Sequence, residues 1–277
     1  DRAYTYKSYA ETMQYFEKLK RDFPDIVETW IAQDLFPQII PQSNKRWGTC
    51  EGRPCQSLIV RIANKKTLNS YTPEVFFSGA LHGDERVGPL VVTELAGFLC
   101  QEYKRGVADI RRLVDTRATW LMPMTNAEGY ANRHREENGM DPNRDFPYLQ
   151  RPDRCMTTQT ARSVNELFRR HLFQFMITFH GGIRSLTYEW GSRNHMAGKK
   201  SSESPDNAAF LGVGGMIRAA SGKERNNNWW YKDYGRITDV VYYVDGGMED
   251  WSYGASWEAS PNPITVCSPR SYGGYAA

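Results

Sequence analysis

The stretch EVFFSGALHGDERVGPLVVTELAGFL, residues 74–99, constrains this chain more than any other. Its opening is a continuous apolar run of the kind found in buried sheet strands. Its end, continued to residue 104, has the apolar density of a helix packed on such a sheet. Between the two lies HGDE, which sets His82 and Glu85 three positions apart on a short loop. From there both side chains can turn to one side and leave room for a third ligand from elsewhere, which is a metal-ligand spacing.

The rest of the chain repeats the alternation of strand and helix. YAETMQYFEKLKRDFP (9–24) carries apolar residues at helical spacing and is ended by Pro24. VETWIAQ (27–33) and SLIVRIA (57–63) are expected as strands joined through a proline-rich loop. A second helical stretch (106–114), the strand ATWLMPMTN (118–126), a long polar segment, a helix over 158–170 and the strand FQFMITFHGG (173–182) follow. This order predicts an α/β fold: a single domain with a mixed, mostly parallel twisted sheet flanked by helices on both faces. With 277 residues, 40% of them hydrophobic, the chain can bury a sizeable core. Residues 192–206 are polar with Gly and Pro and are expected as a surface loop; no internal repeat is present.

His180 closes the search for a third ligand. It lies at the C-terminal end of its strand, and ligands in open α/β sheets gather outside the carboxyl ends of the strands, where the His82 loop also emerges. Two imidazoles and one carboxylate with a free fourth position is the layout of a catalytic zinc that holds and activates a water. A closed structural site would usually bring cysteines instead. Asp141 is placed to orient one imidazole as a hydrogen-bond acceptor. The plainer alternative is a buried strand-end histidine beside a solvated acidic loop, and the next motif weighs against it. In DPNRDFP, Asn143 and Arg144 form an amide and guanidinium pair suited to grip a carboxylate, and Arg135 is near enough in sequence to polarise a carbonyl.

With these residues in place the chain resembles the zinc metallocarboxypeptidases, the carboxypeptidase A/B-like family, as a divergent member. The motifs that carry the resemblance are HGDE, the asparagine-bearing strand end NAEGY (126–130), DPNRDFP, FHGG and GGMEDWSYG (246–254) preceded by Tyr242, and the resemblance runs from about residue 8 to residue 267. The resemblance implies one zinc ion per chain, held by His82, Glu85 and His180. It implies that Asn143, Arg144 and Tyr242 bind the substrate's terminal carboxylate and that Arg135 stabilises the oxyanion, with Arg133 two residues away as the alternative. Glu249 falls where the family places a residue that sets specificity, and an acid there implies a preference for C-terminal Lys or Arg; a solvated turn carboxylate is the other reading. The implied activity is hydrolysis of the C-terminal peptide bond of peptides or proteins. The alternative is a catalytically inactive relative that binds C-terminal tails. Related zinc deacylases lack the tyrosine segment that Tyr242 represents here.

One departure bears on this choice. The family's catalytic glutamate follows the GGMEDW-like segment on a strand, and the aligned stretch NPITVCSP puts Cys267 in its place. The expectation drawn is that the chain stops short of the family's last strand and helix. Cys267 as a nucleophile would need a histidine of its own, so a packed or disulfide-bonded cysteine is expected. NNNWWYKDYG (226–235) is read either as the lining of an aromatic peptide groove or as the rim of an ordinary core.

Composition narrows the partners. Net charge is +3, the basic residues are scattered, and nucleic acid is not an expected partner. No apolar run approaches the ~20 residues of a membrane span, no signal peptide is evident, and a monomer is expected. The five cysteines, Cys50, Cys55, Cys100, Cys155 and Cys267, permit at most two disulfides. Cys50 and Cys55 bracket a turn-forming EGRP, compatible with a small disulfide or with two reduced thiols. The compartment stays open, with a secreted or vesicular location favoured over a cytoplasmic one.

Overall fold

The computed structural model describes residues 4–40, 48–150 and 156–255. These group into two compact units. The first runs to Pro142 and takes in Thr157–Gly181; the second holds residues 143–150, Met156 and the described residues from Gly182 onward. Cys155 and Cys267 lie outside the described residues.

The first unit is built on a five-stranded sheet of β1 (Val27–Ile31), β2 (Leu58–Ile62), β3 (Glu74–Gly79), β4 (Ala118–Met122) and β5 (Phe173–Phe179), in the order β1-β2-β4-β3-β5. The sheet is mixed: β2 pairs antiparallel with β1 and with β4, whereas β3 runs parallel to β4 and to β5. Alternation along β3 sends successive aromatics to opposite faces. Phe77 packs with Val60 and Leu121 into a core shared with Phe16 and Leu19 of α1 (Tyr9–Asp22) and with Val92, Ala96 and Leu99 of α2 (Val87–Arg105). α3 (Ala108–Thr116) adds Val114 to the same side. Phe76, on the other face, meets Phe168 of α5 (Gln159–Phe168) at 5.7 Å between ring centroids, so helices cover both faces.

Local chemistry sets the boundaries. α1 begins at a capping box in which the Ser8 hydroxyl accepts from Glu11 N and the Glu11 carboxylate accepts from Ser8 N. It ends two residues before Pro24, because the residue ahead of a proline is driven out of the helical region. The expected strands over 118–126 and 173–182 each stop early, at Met122 and Phe179. NAEGY, read as a strand end, is instead the start of the helix α4 (Ala127–Asn132), capped by Asn126 Oδ1, which accepts from Gly129 N at 2.8 Å. Cys50 and Cys55 are joined in a disulfide across a short hairpin, which decides between the two readings of that pair.

In the second unit, β6 (Ser185–Tyr188) pairs in parallel with β7 (Asp233–Arg236), and α6 (Asn207–Ser221) connects them. The close approach of Tyr234 to Gly214 of α6, 2.4 Å from where a Cβ would sit, admits only glycine there. Residues 192–206 are not a plain loop: Met196–Ala197 and Lys200–Ser201 form a small antiparallel hairpin. Trp190 stacks on His195 with centroids 3.8 Å apart, and Tyr148 Oη lies 2.7 Å from His195 Nε2. The Asp250 carboxylate accepts from Gly191 N and Ser192 N at 2.8 and 2.7 Å, tying this turn to the segment that carries Glu249.

Candidate metal centre

The parallel pairing of β3 with β5 carries both chains to the same edge of the sheet, Gly79 opposite Phe179. The chain leaving β3 therefore brings His82 and Glu85 to the point where the chain leaving β5 brings His180. Ala80, at φ 51°, makes the turn out of the strand, and its carbonyl accepts from Asn126 N at 2.9 Å. Gly83 is required next: a Cβ there would lie 2.0 Å from the backbone carbon of Gly129 in α4. That contact lets the loop lie directly on α4.

His82 Nδ1 lies 2.9 Å from Glu85 Oε1, and His180 Nδ1 lies 2.8 Å from Glu85 Oε2. The two imidazole Nδ1 atoms are 3.1 Å apart. The three side chains each offer one ligand atom, and these atoms fall within 4.8 Å of one another. The donor set fits zinc, since two nitrogens at the usual Zn–N distance of about 2.0–2.1 Å around a tetrahedral ion stand roughly 3.3 Å apart. His82 is 4% exposed, and the His180 side chain is 30% exposed, so the group is closed behind and open in front.

The other nitrogen of His82, Nε2, sits 3.1 Å from Asp141 Oδ1. With Asp141 accepting there, Nδ1 is the nitrogen left to ligate. Arg135 Nε and Nη2 donate to Asp141 Oδ2 at 3.0 and 2.8 Å, and Nη1 comes within 3.7 Å of Glu85 Oε1. Arg133 instead occupies the left-handed cap of α4, at φ 60°. Burial pushes the Glu85 carboxyl up, but hydrogen bonds and charge from His180 and His82 outweigh it and hold it at about 2. Burial likewise opposes ionisation of Asp141, and His82 and Arg135 hold its carboxyl well below the ordinary range. Burial would depress the His82 imidazole, but its bonds to Asp141 and Glu85 raise it.

The remaining sequence-derived residues lie in the second unit. Arg144 Nη1 donates to the Asn143 carbonyl at 2.7 Å, and its guanidinium carbon is 6.0 Å from the ring centre of Tyr242, which is 52% exposed. Asn143 is buried, and its Oδ1 accepts from Met248 N at 2.8 Å. Glu249, buried, follows Met248 in the short helix Met248–Asp250. Sequence reasoning missed Asn126, whose Nδ2 donates to the Arg135 carbonyl at 3.1 Å; its signal was an Asn directly ahead of a helix, a preferred cap.

A sheet of this topology with two imidazoles and a carboxylate converging at its carboxyl edge defines a metallopeptidase-like α/β protein. The zinc carboxypeptidase family profile matches residues 47–261, and the chain belongs to that family. Among curated relatives, carboxypeptidase SOL1 of Arabidopsis thaliana is 27% identical over 201 residues, covering 70% of this chain and 40% of that protein. Carboxypeptidase D of Drosophila melanogaster is 28% identical over 231 residues, covering 74% of this chain and 16% of that one. The chain thus spans less than half the length of either relative. Among solved structures, bovine thrombin-activatable fibrinolysis inhibitor in complex with tick carboxypeptidase inhibitor superposes with a TM-score of 0.65 at 16% identity, covering 90% of this chain and 82% of that one. Carboxypeptidase A from Helicoverpa armigera gives a TM-score of 0.66 at 17% identity, covering 91% and 62%. These similarities establish the carboxypeptidase fold.

Proposed function

We propose that this protein is a zinc exopeptidase that removes single residues from the C-termini of peptides or proteins. The observation that carries the reading is the convergence of His82, Glu85 and His180 on one point, open on one side, with the Arg135 guanidinium beside it. These three residues would hold one zinc ion. When bound, zinc supplies Lewis acidity, polarising the scissile carbonyl and easing deprotonation of water. Arg135 donates to the carbonyl oxygen as negative charge develops on it, exchanging its bond to Asp141 for one to the substrate. Asp141 keeps His82 in the ligating tautomer. Arg144 and Asn143 Nδ2 bind the terminal carboxylate, with the Tyr242 phenol as a third donor. Glu249 favours C-terminal Lys or Arg by charge. The disulfide of Cys50 and Cys55 supports an oxidising, secreted or vesicular setting, and no described helix is long and apolar enough to cross a membrane.

A second reading, a relative that binds C-terminal tails without cutting, is favoured by the resemblance drawn from the sequence, which puts Cys267 of NPITVCSP where the family carries its catalytic glutamate. Proton transfer by a positioned carboxylate contributes typically ~10²–10⁴-fold to such a reaction. Peptides with a free and an amidated C-terminus test what the two readings share. Binding should weaken by about 10–100-fold on amidation, the range of a lost charged hydrogen bond, and Arg144→Ala should erase the difference. Equal affinity for both forms in the unaltered protein would remove both readings. Release of free amino acid separates the two, and a C-terminal Arg should outrank Phe by a margin that Glu249→Gln narrows.

A further inference from the structure

The segment that supplies Arg135 and Asp141 turns back on itself in a way that neither residue explains. Glu137 N donates to Met140 O, and Met140 N to Glu137 O, both at 2.9 Å, closing a two-residue hairpin. Asn138 and Gly139 between them have φ of 52° and 76°, the pair of left-handed residues that a type I′ turn demands. The turn fixes the separation of the residues flanking it, and Arg135 and Asp141 are the pair that meet across its open end. A hairpin this short has little stability of its own.

Its anchor is the Glu137 side chain. Oε1 accepts from Gln159 N at 2.6 Å, and Oε2 accepts from Thr160 N at 3.0 Å and from Thr160 Oγ1 at 2.5 Å. Those amides are the first turn of α5, where unpaired N–H groups and the positive end of the helix dipole favour a carboxylate. Glu137 is 8% exposed, so these bonds are shielded from water. α5 leads directly toward β5, the strand that delivers His180. One carboxylate therefore joins the turn holding Arg135 and Asp141 to the helix that precedes the His180 strand. The Thr158 hydroxyl accepts from Ala161 N at 3.0 Å, so Thr158 and Glu137 divide the first amides of α5 between them, and only Glu137 also belongs to the hairpin.

We infer that Glu137 is a positioning residue of the metal centre: it pins the hairpin to α5 so that Asp141 meets His82 Nε2 while Arg135 faces Glu85. The inference rests on the metal reading of His82, Glu85 and His180, and its test keeps the two apart. Glu137→Ala, the milder Glu137→Gln and the control Thr158→Ala are compared with the unaltered protein. Thr158→Ala weakens the same helix start without touching the hairpin. Zinc affinity, measured by competition with a chelator, should fall about 10-fold in Glu137→Ala and less in Glu137→Gln, as for other losses of support to a ligating histidine, and stay within about 2-fold in Thr158→Ala. Amide exchange should accelerate at Met140 and at Gly83, whose N–H donates to the Arg135 carbonyl, in the Glu137 variants alone. Equal effects of Glu137→Ala and Thr158→Ala on both readouts, or unchanged exchange at Met140 and Gly83 in Glu137→Ala, would overturn the inference. If the unaltered protein binds no zinc, the metal reading falls and the exchange measurement alone decides on Glu137.

Discussion

Glu189 makes a quantitative prediction for the second unit. It is 8% exposed, and its Oε2 has no hydrogen-bond partner among the described residues. Burial, reinforced by the charges of Asp250 and Glu249, raises its pKa from the ordinary 4.5 to about 8. The folded protein therefore keeps a proton that the unfolded chain releases near 4.5, so stability is fully present at low pH and falls as pH rises through that window. Integrated over roughly 3.5 pH units at 1.36 kcal/mol each, the loss is at most about 5 kcal/mol by pH 8. Glu189→Gln has nearly the same shape and cannot ionise. Thermal unfolding of the two proteins should coincide near pH 5 and diverge toward pH 8, where the variant should melt roughly 10 °C higher. Asp250 also has a raised carboxyl, through burial first, and it remains in both proteins, so the difference isolates Glu189. Parallel melting curves from pH 5 to pH 8 would refute the argument that an uncompensated carboxyl is buried there.

Two further outcomes concern the metal centre. Asp141→Asn should weaken zinc binding about 10–100-fold, since an amide in that place turns an N–H toward Arg135 or toward His82; chelator competition measures it. Zinc affinity should fall as pH drops, beginning above the ordinary histidine value of 6.5, because the His82 proton that the metal must displace is held by Asp141 and Glu85; a titration of bound zinc against pH checks this, and an onset below that value would contradict it.

The alternation of apolar runs and helical periodicity was enough to read the sheet of the first unit, because β4 is buried throughout and β3 and β5 are apolar runs with few polar interruptions. The meeting of His82, Glu85 and His180 was legible as well, because the chain leaves two parallel strands at the same sheet edge. NAEGY was misread because a six-residue helix is too short to show a period, and its cap, Asn126, is the stronger signal. α6 escaped altogether, since Gly212, Gly214 and Gly215 lower its helical propensity and the helix is retained by packing around Tyr234. The roles of Glu137 and Glu189 could not be read from sequence: the first depends on a helix start some twenty residues away, the second on burial beside Asp250.

The central claim is that His82, Glu85 and His180 hold a metal, and metal content by elemental analysis tests it most directly. The purified protein should carry about one zinc per chain, and His82→Ala and His180→Ala should each lose it while remaining folded, since two remaining ligands make a poor site. Stoichiometric zinc retained in both variants, or a folded unaltered protein that takes up none at neutral pH, would contradict the account.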